Sequence, residues 1–88
     1  MVRIAKIKYF NIYSDHKGNY IIHNTHKDFN KGHTHINNYH TAKYIANMAL
    51  HKSLPNKHLS NYLIISLIRI SSDNAYINNL KKLLKKEN

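Results

Sequence analysis

Cysteine is absent from the sequence, so neither a disulfide nor a thiolate metal site can form. Acidic residues are scarce, with four Asp and Glu in 88 residues, so acid–base catalysis by carboxylates has little material. Long apolar runs are also missing, because the most apolar stretch, 62–70, covers about nine residues and a bilayer span needs roughly 20. No signal-peptide pattern is visible at the start. We therefore expect a cytoplasmic protein with no membrane partner.

The charge is strongly positive. The chain has 14 Lys and Arg residues and a formal net charge of +10, and each half, 1–44 and 45–88, holds seven basic and two acidic residues. The charge is thus not confined to a tail, and such a surface attracts polyanions. A hydrophobic fraction of 42% is typical of a globular chain, and 88 residues suffice for one modest core. We therefore expect a single domain, 1–88, that binds a negatively charged partner.

Residues with β-branched and aromatic side chains dominate the first part of the chain and predict a β-hairpin. The pattern indicates strands at about 2–13 and 19–24, joined by a turn that is rich in Asp, Gly and Asn. A His-rich segment, 25–40, follows. It is either a long surface loop or a loop that contributes a third short strand at 33–36.

The apolar period becomes helical after Thr41, which we expect to be an N-cap. Three helices are predicted, at about 41–52, 57–70 and 74–86, and Pro55 separates the first two. The second helix is apolar nearly all round, which favours a central position in the core. The predicted fold class is therefore α+β, with an N-terminal hairpin, or three short strands, packed on three C-terminal helices.

Basic residues that lie within the predicted strands and helices are expected to be either exposed on the surface or structural. Strict alternation places Arg3 and Lys6 on opposite faces of the first strand, although together with Lys8 they could also form an exposed stripe. Arg69 lies inside the apolar helix, where a fully buried cation would be costly. It either reaches the surface or pairs with Asp73 one turn later, and we expect its role to be structural.

Six of the eight histidines lie between positions 16 and 40, and three interpretations of this cluster compete. A metal site could use His33 and His35, which point the same way on a strand, but no cysteine and few acids are nearby. Catalysis is the second interpretation. His-x-His followed by a tyrosine resembles the His-hydrophobe-His nucleases, but the middle residue here is Thr34, and we expect no enzyme activity, no metal and no cofactor. The third is a binding surface, because histidine stacks on bases and hydrogen-bonds to phosphates.

We expect the interface with nucleic acid or with another partner to combine these histidines with nearby lysines and tyrosines, together with the cations of the last helix. The predicted binding residues are Lys17, Lys27, Lys31, His33, His35, Tyr39, His40, Lys43, Tyr44, Lys81, Lys82 and Lys85.

In type, although not in motif, the chain resembles the small accessory proteins of phages and mobile elements, a class that includes anti-CRISPR proteins. The resemblance rests on its size, its basicity and its richness in Lys, Asn and Ile. The first hypothesis is a non-catalytic protein that binds DNA or RNA, or a nucleic-acid-bound complex. The alternative is an inhibitor that docks on a host defence or replication protein. A His-based metal protein or nuclease is a remote third, and a homodimer is among the oligomeric states that a small core allows.

Overall fold

A four-stranded antiparallel sheet precedes three helices in the chain, as a computed structural model that describes residues 1–55 and 58–84 shows. The strands follow one another across the sheet in the order β1-β2-β3-β4. The α+β class predicted from the sequence is therefore confirmed. The elements are β1 (Val2–Ile7), β2 (Phe10–Ser14), β3 (Tyr20–Asn24), β4 (His33–Ile36), α1 (Tyr39–His51), α2 (Asn61–Ile70) and α3 (Asn74–Lys81).

The segment expected as one strand, 2–13, is in fact two strands joined by a tight turn at Lys8 and Tyr9. Lys8 has φ 54°, in the left-handed region that reverses the chain, and a turn of this kind carries no apolar signal of its own. The alternative of a short strand at 33–36 is also realised, as β4. The sheet therefore gains a strand at each end of the expected hairpin.

A first prediction concerns the backbone strain that the positive φ of Lys8 imposes. Lys8→Gly should raise the free energy of unfolding by about 1 kcal/mol, because glycine adopts positive φ without a Cβ clash. Urea unfolding of the two proteins measures the change. The control is Lys6→Gly, which removes the same charge from within β1 and should lower stability by roughly 0.5–1 kcal/mol. Equal effects of the two substitutions would contradict the assignment of strain to Lys8.

The core lies between one face of the sheet and the helices. Phe10 and Ile12 of β2 and Ile22 of β3 are fully buried or nearly so, and they pack with Ile45 of α1 and Leu67 of α2. The alternating residues of these strands point to the opposite face, because successive side chains of a strand alternate. No helix packs on that second face within the described part of the chain.

Helix caps explain where the helix boundaries differ from those predicted. α1 begins at Tyr39 because Asn38, and not Thr41, is its N-cap: the Asn38 side chain accepts a hydrogen bond from the Thr41 N–H. α2 begins at Asn61, capped by Ser60, so the predicted start at 57 is wrong. Asn56, which directly precedes that predicted start, lies outside the described residues.

The last helix starts as predicted and stops early. Asp73 caps α3 by accepting a hydrogen bond from the Tyr76 N–H at 2.8 Å, and the helix ends at Lys81 with Lys82 as its C-cap, short of the predicted end at 86. Lys85 and Lys86 lie outside the described residues. None of the three helices in the described ranges is long and apolar enough to cross a membrane.

Candidate functional site

The sheet face opposite the helices carries most of the exposed rings and cations that the strands supply. The pairing register aligns its side chains in two rows that cross all four strands. We call these eight residues the open face. The first row is Lys6, Asn11, His23 and His33, and the second row is Arg3, Tyr13, Ile21 and His35.

Two cations occupy the β1 end of the open face, and a β-bulge puts them there. The register shifts between Arg3 and Ala5, so that Arg3 pairs with Tyr13 while Lys6 pairs with Asn11. The extra residue, Ile4, reverses the alternation that would otherwise place Arg3 and Lys6 on opposite faces. Both cations are exposed and share one face at the edge of the sheet.

An aromatic cluster occupies the half of the open face formed by β3 and β4. It consists of His23, His33 and His35 together with the ring of Phe29. Phe29, from the loop between β3 and β4, stacks on His33 with ring centroids 4.3 Å apart and an interplanar angle of 9°. The same phenyl ring meets His23 edge-on at 5.2 Å, and His33 meets His35 edge-on at 5.2 Å. Four rings thus form one continuous patch. Phe29 remains 37% exposed and His35 is exposed, so the patch offers ring surface to solvent.

Hydrogen bonds from the loop fix the orientation of two imidazoles. His33 Nδ1 lies 2.5 Å from the Phe29 carbonyl oxygen, and His23 Nε2 lies 2.8 Å from the Lys27 carbonyl oxygen. A carbonyl oxygen can only accept, so each of these nitrogens carries the proton and donates it. The second nitrogen of each ring is then the one left to bind a ligand.

Side chains of α2 complete the edge of the open face along β4. Arg69 Nε donates to the His33 carbonyl oxygen at 3.2 Å, and the Tyr62 hydroxyl donates to the His35 carbonyl oxygen. Arg69 is exposed, and the ion-pair partner of the Asp73 carboxylate is not Arg69 but Lys52, whose Nζ lies 3.4 Å away. The aromatic cluster therefore lies between cations at both edges, Arg3 and Lys6 on one side and Arg69 on the other.

Carboxylates are absent from both rows of the open face. One carboxylate that interacts electrostatically with this face, through His35, is Asp15 at the turn after β2. The Lys17 backbone N–H donates to this carboxylate at 2.8 Å and is the main cause that holds the pKa of Asp15 below its ordinary value; the Asn19 N–H and the charge of His35 act in the same direction. The Asp15 carboxylate therefore stabilises the turn. Arg3 and Lys6 have no carboxylate within 4.0 Å among the described residues.

The residues predicted to bind do not form one surface. His33 and His35 lie on the open face. Tyr39, His40 and Lys43 form a separate cluster at the start of α1, where Lys43 Nζ lies 5.0 Å from the centre of the Tyr39 ring. The others are spread over turns, loops and helix ends.

Each of the remaining predicted residues has a distinct place. Lys27 is a structural residue, because its Nζ donates to the Ser71 carbonyl oxygen at 3.1 Å, just after α2. Tyr44 is 47% exposed and lines a groove of about 660 Å³ beside α1, away from the sheet. The exposed lysines Lys17, Lys31, Lys81 and Lys82 lie in the β2–β3 turn, in the β3–β4 loop and at the end of α3, and Lys85 falls outside the described residues.

Tyr13, His23 and Phe29 were missing from the predicted site. Alternation along the strands gives a signal for the first two. Tyr13 follows the buried Ile12 on β2 and His23 follows the buried Ile22 on β3, so each points to the opposite face of the sheet. Phe29 has no comparable signal, because a loop brings it onto the sheet. In residues 1–55 and 58–84 no three His, Asp or Glu side chains come together in a way that could hold a metal ion.

Comparison of the chain with protein-family models, with curated proteins and with solved structures gave no match. The functional argument therefore rests on the geometry of the open face.

Proposed function

We propose that this protein binds single-stranded nucleic acid on the open face, with bases stacked on the aromatic cluster and phosphates held by Arg3, Lys6 and Arg69. One observation carries the proposal: four contiguous rings lie between cationic edges on a sheet face that no helix covers within residues 1–55 and 58–84. Rings on an antiparallel sheet stack well on bases, and stacking contributes about 1–3 kcal/mol per base. The expected site of action is the cytoplasm.

Single strands fit this surface better than a duplex does. Stacking needs bases with a free face, and paired bases inside a duplex have none. Reading the major groove needs a helix with a protruding polar face. The outer side of α2 presents Tyr62 and Ile65, 49% and 46% exposed, so this helix is poorly suited to that role.

The test is the affinity for a labelled single-stranded oligonucleotide, DNA or RNA, and for the duplex of the same sequence, measured by fluorescence anisotropy over a series of salt concentrations. We expect the single strand to bind about tenfold more tightly or better, since one stacked base accounts for roughly that factor. Binding should weaken with salt as counterions are released. Equal or tighter binding of the duplex would contradict the proposal.

A charge-matched pair of variants locates the phosphate contacts. Arg3→Gln with Lys6→Gln should flatten the slope of log affinity against log salt by about 1.4, because each phosphate contact to a single strand contributes roughly 0.7. Lys81→Gln with Lys82→Gln removes the same charge from α3 and should leave that slope nearly unchanged. A larger effect of the α3 pair would move the interface away from the open face.

A further inference from the structure

β1 is an edge strand whose extensive contacts are with β2, and its Ala5 and Ile7 also pack against the core. It is the first strand of the sheet order, and no element other than β2 makes extensive contact with it in the described residues. Val2 and Ile4 are 51% and 43% exposed. Arg3 and Lys6 are exposed as well, so both faces of the strand are accessible beside its free edge.

The opposite edge of the sheet is closed. Arg69 and Tyr62 of α2 donate hydrogen bonds to the carbonyl oxygens of His33 and His35, which are the outward-facing acceptors of β4. The described residues supply no such cover for β1, whose outer edge no hydrogen bond of residues 1–55 or 58–84 crosses. An open edge presents unpaired backbone donors and acceptors to an added strand.

The direction of the free backbone groups follows from the ladder. In an antiparallel ladder, hydrogen-bonded and non-hydrogen-bonded residue pairs alternate. Because the carbonyls of His33 and His35 point outward, these two residues form non-hydrogen-bonded pairs with β3, and the same alternation continues through β3 and β2 to β1. Ile7 pairs through hydrogen bonds with Phe10 across the tight turn, so the N–H and C=O of Lys6 point away from β2. Lys6 therefore offers both a charge on the open face and a free backbone pair on the edge.

Charge selects the kind of strand that fits this edge. A second copy of the chain would bring its own Arg3 and Lys6 onto the same strip of the sheet, and like charges on paired strands repel. A strand with Asp or Glu at alternate positions would instead place its carboxylates beside these cations. The bulge favours this match, because it puts both cations on one face.

We propose that β1 binds an extended, acidic segment of a partner protein, which adds to the sheet as a fifth strand with its alternate carboxylates facing Arg3 and Lys6. Backbone hydrogen bonds to the β1 edge supply affinity, and the alternating carboxylates supply specificity. This interaction goes beyond nucleic-acid binding, since it uses the outer edge of the sheet and a protein ligand, although it draws on the same two cations, Arg3 and Lys6.

The probe is a synthetic peptide in which Glu alternates with Thr, compared with a peptide of the same composition whose Glu residues are grouped at one end. Binding is measured by isothermal titration calorimetry. We expect the alternating peptide to bind about tenfold more tightly, because only its carboxylates share one face of a strand. Equal affinities would show simple charge attraction and overturn the proposal.

Two substitutions at one position separate the backbone contribution from the charge. Lys6→Gln removes the charge, while Lys6→Pro removes the charge and the outward N–H, and proline is tolerated on an edge strand where that N–H faces solvent. Lys6→Pro should bind the peptide about fivefold more weakly than Lys6→Gln, because one lost hydrogen bond contributes roughly 1 kcal/mol. Both variants lack the Lys6 charge, so they should bind the oligonucleotide equally to each other and more weakly than the native chain does, and a failure here is distinguishable from failure of the nucleic-acid proposal.

Amide hydrogen exchange keeps the proposal testable if Lys6→Pro does not fold. In the native chain, the alternating peptide should protect the Lys6 N–H and leave the amides of α3 unaffected. No protection in β1 at saturating peptide would overturn the proposal. A concentration-dependent dimer in sedimentation that Lys6→Pro abolishes would assign the edge to a second copy instead and would equally overturn it.

Discussion

Replacing Phe29 and His35 together with alanine should lower the affinity for a single-stranded oligonucleotide by about thirtyfold or more. Both rings belong to the aromatic cluster and both expose surface to solvent, and the loss corresponds to roughly 1 kcal/mol or more for each stacked base. Fluorescence anisotropy at fixed salt measures it. Phe29→Ala alone should leave the salt dependence unchanged, because phenylalanine carries no charge.

The matched control removes one aromatic ring and one imidazole from the other side of the molecule. Tyr44 and His51 are exposed on α1, which packs on the sheet face opposite the open face. Tyr44→Ala with His51→Ala should therefore change the affinity by less than about twofold. If this pair weakens binding as much as the first pair does, the bases lie along α1 and the open face is not the interface.

The histidine positions of the open face were accessible from the sequence to a limited extent. A spacing of two residues predicts that His33 and His35 share a face if they lie on a strand, and the structure places them on β4. Their meeting with His23 depends on the register between β3 and β4, which pairs His23 with His33. Register arises from turns and from burial of the opposite face, so local pattern alone does not determine it.

The cationic edge could not be predicted from alternation. Arg3 and Lys6 are three residues apart, an odd separation that puts them on opposite faces of a regular strand. The bulge at Ile4 changes this parity. No glycine or proline marks the bulge in the sequence, so the feature that unites the two cations has no local signature.

Helix boundaries show a different limit, because several residues compete for one capping role. Asn37, Asn38 and Thr41 all have side chains that can cap α1, and Asn38 takes the role because its carboxamide oxygen reaches the Thr41 N–H at 3.0 Å.

The core was more predictable. Ile45 is fully buried on the α1 stripe where its period predicts a core position, and Leu67 is fully buried in α2, the helix predicted to be central.

The orientation of the helix layer on the sheet depends on a buried polar side chain, Asn24, which is 1% exposed at the end of β3. Its Nδ2 donates to the Ile70 carbonyl oxygen at 2.9 Å and to the Ser72 hydroxyl at 3.1 Å. Its Oδ1 accepts from the His26 N–H at 2.9 Å. One carboxamide thereby links the sheet, the end of α2 and the loop that carries the aromatic ring of the open face.

Asn24→Ala should lower the free energy of unfolding by about 2–4 kcal/mol. The substitution leaves the Ile70 carbonyl without this partner in a buried position and removes the link to the loop, and each unsatisfied buried group costs roughly 1–3 kcal/mol. Urea unfolding measures the loss. Asn47→Ala is the control, because Asn47 is exposed on α1 and its side chain bonds only to the Lys43 carbonyl oxygen, so the change should stay within about 0.5 kcal/mol. Comparable losses for the two substitutions would mean that the Asn24 carboxamide does not join the two layers.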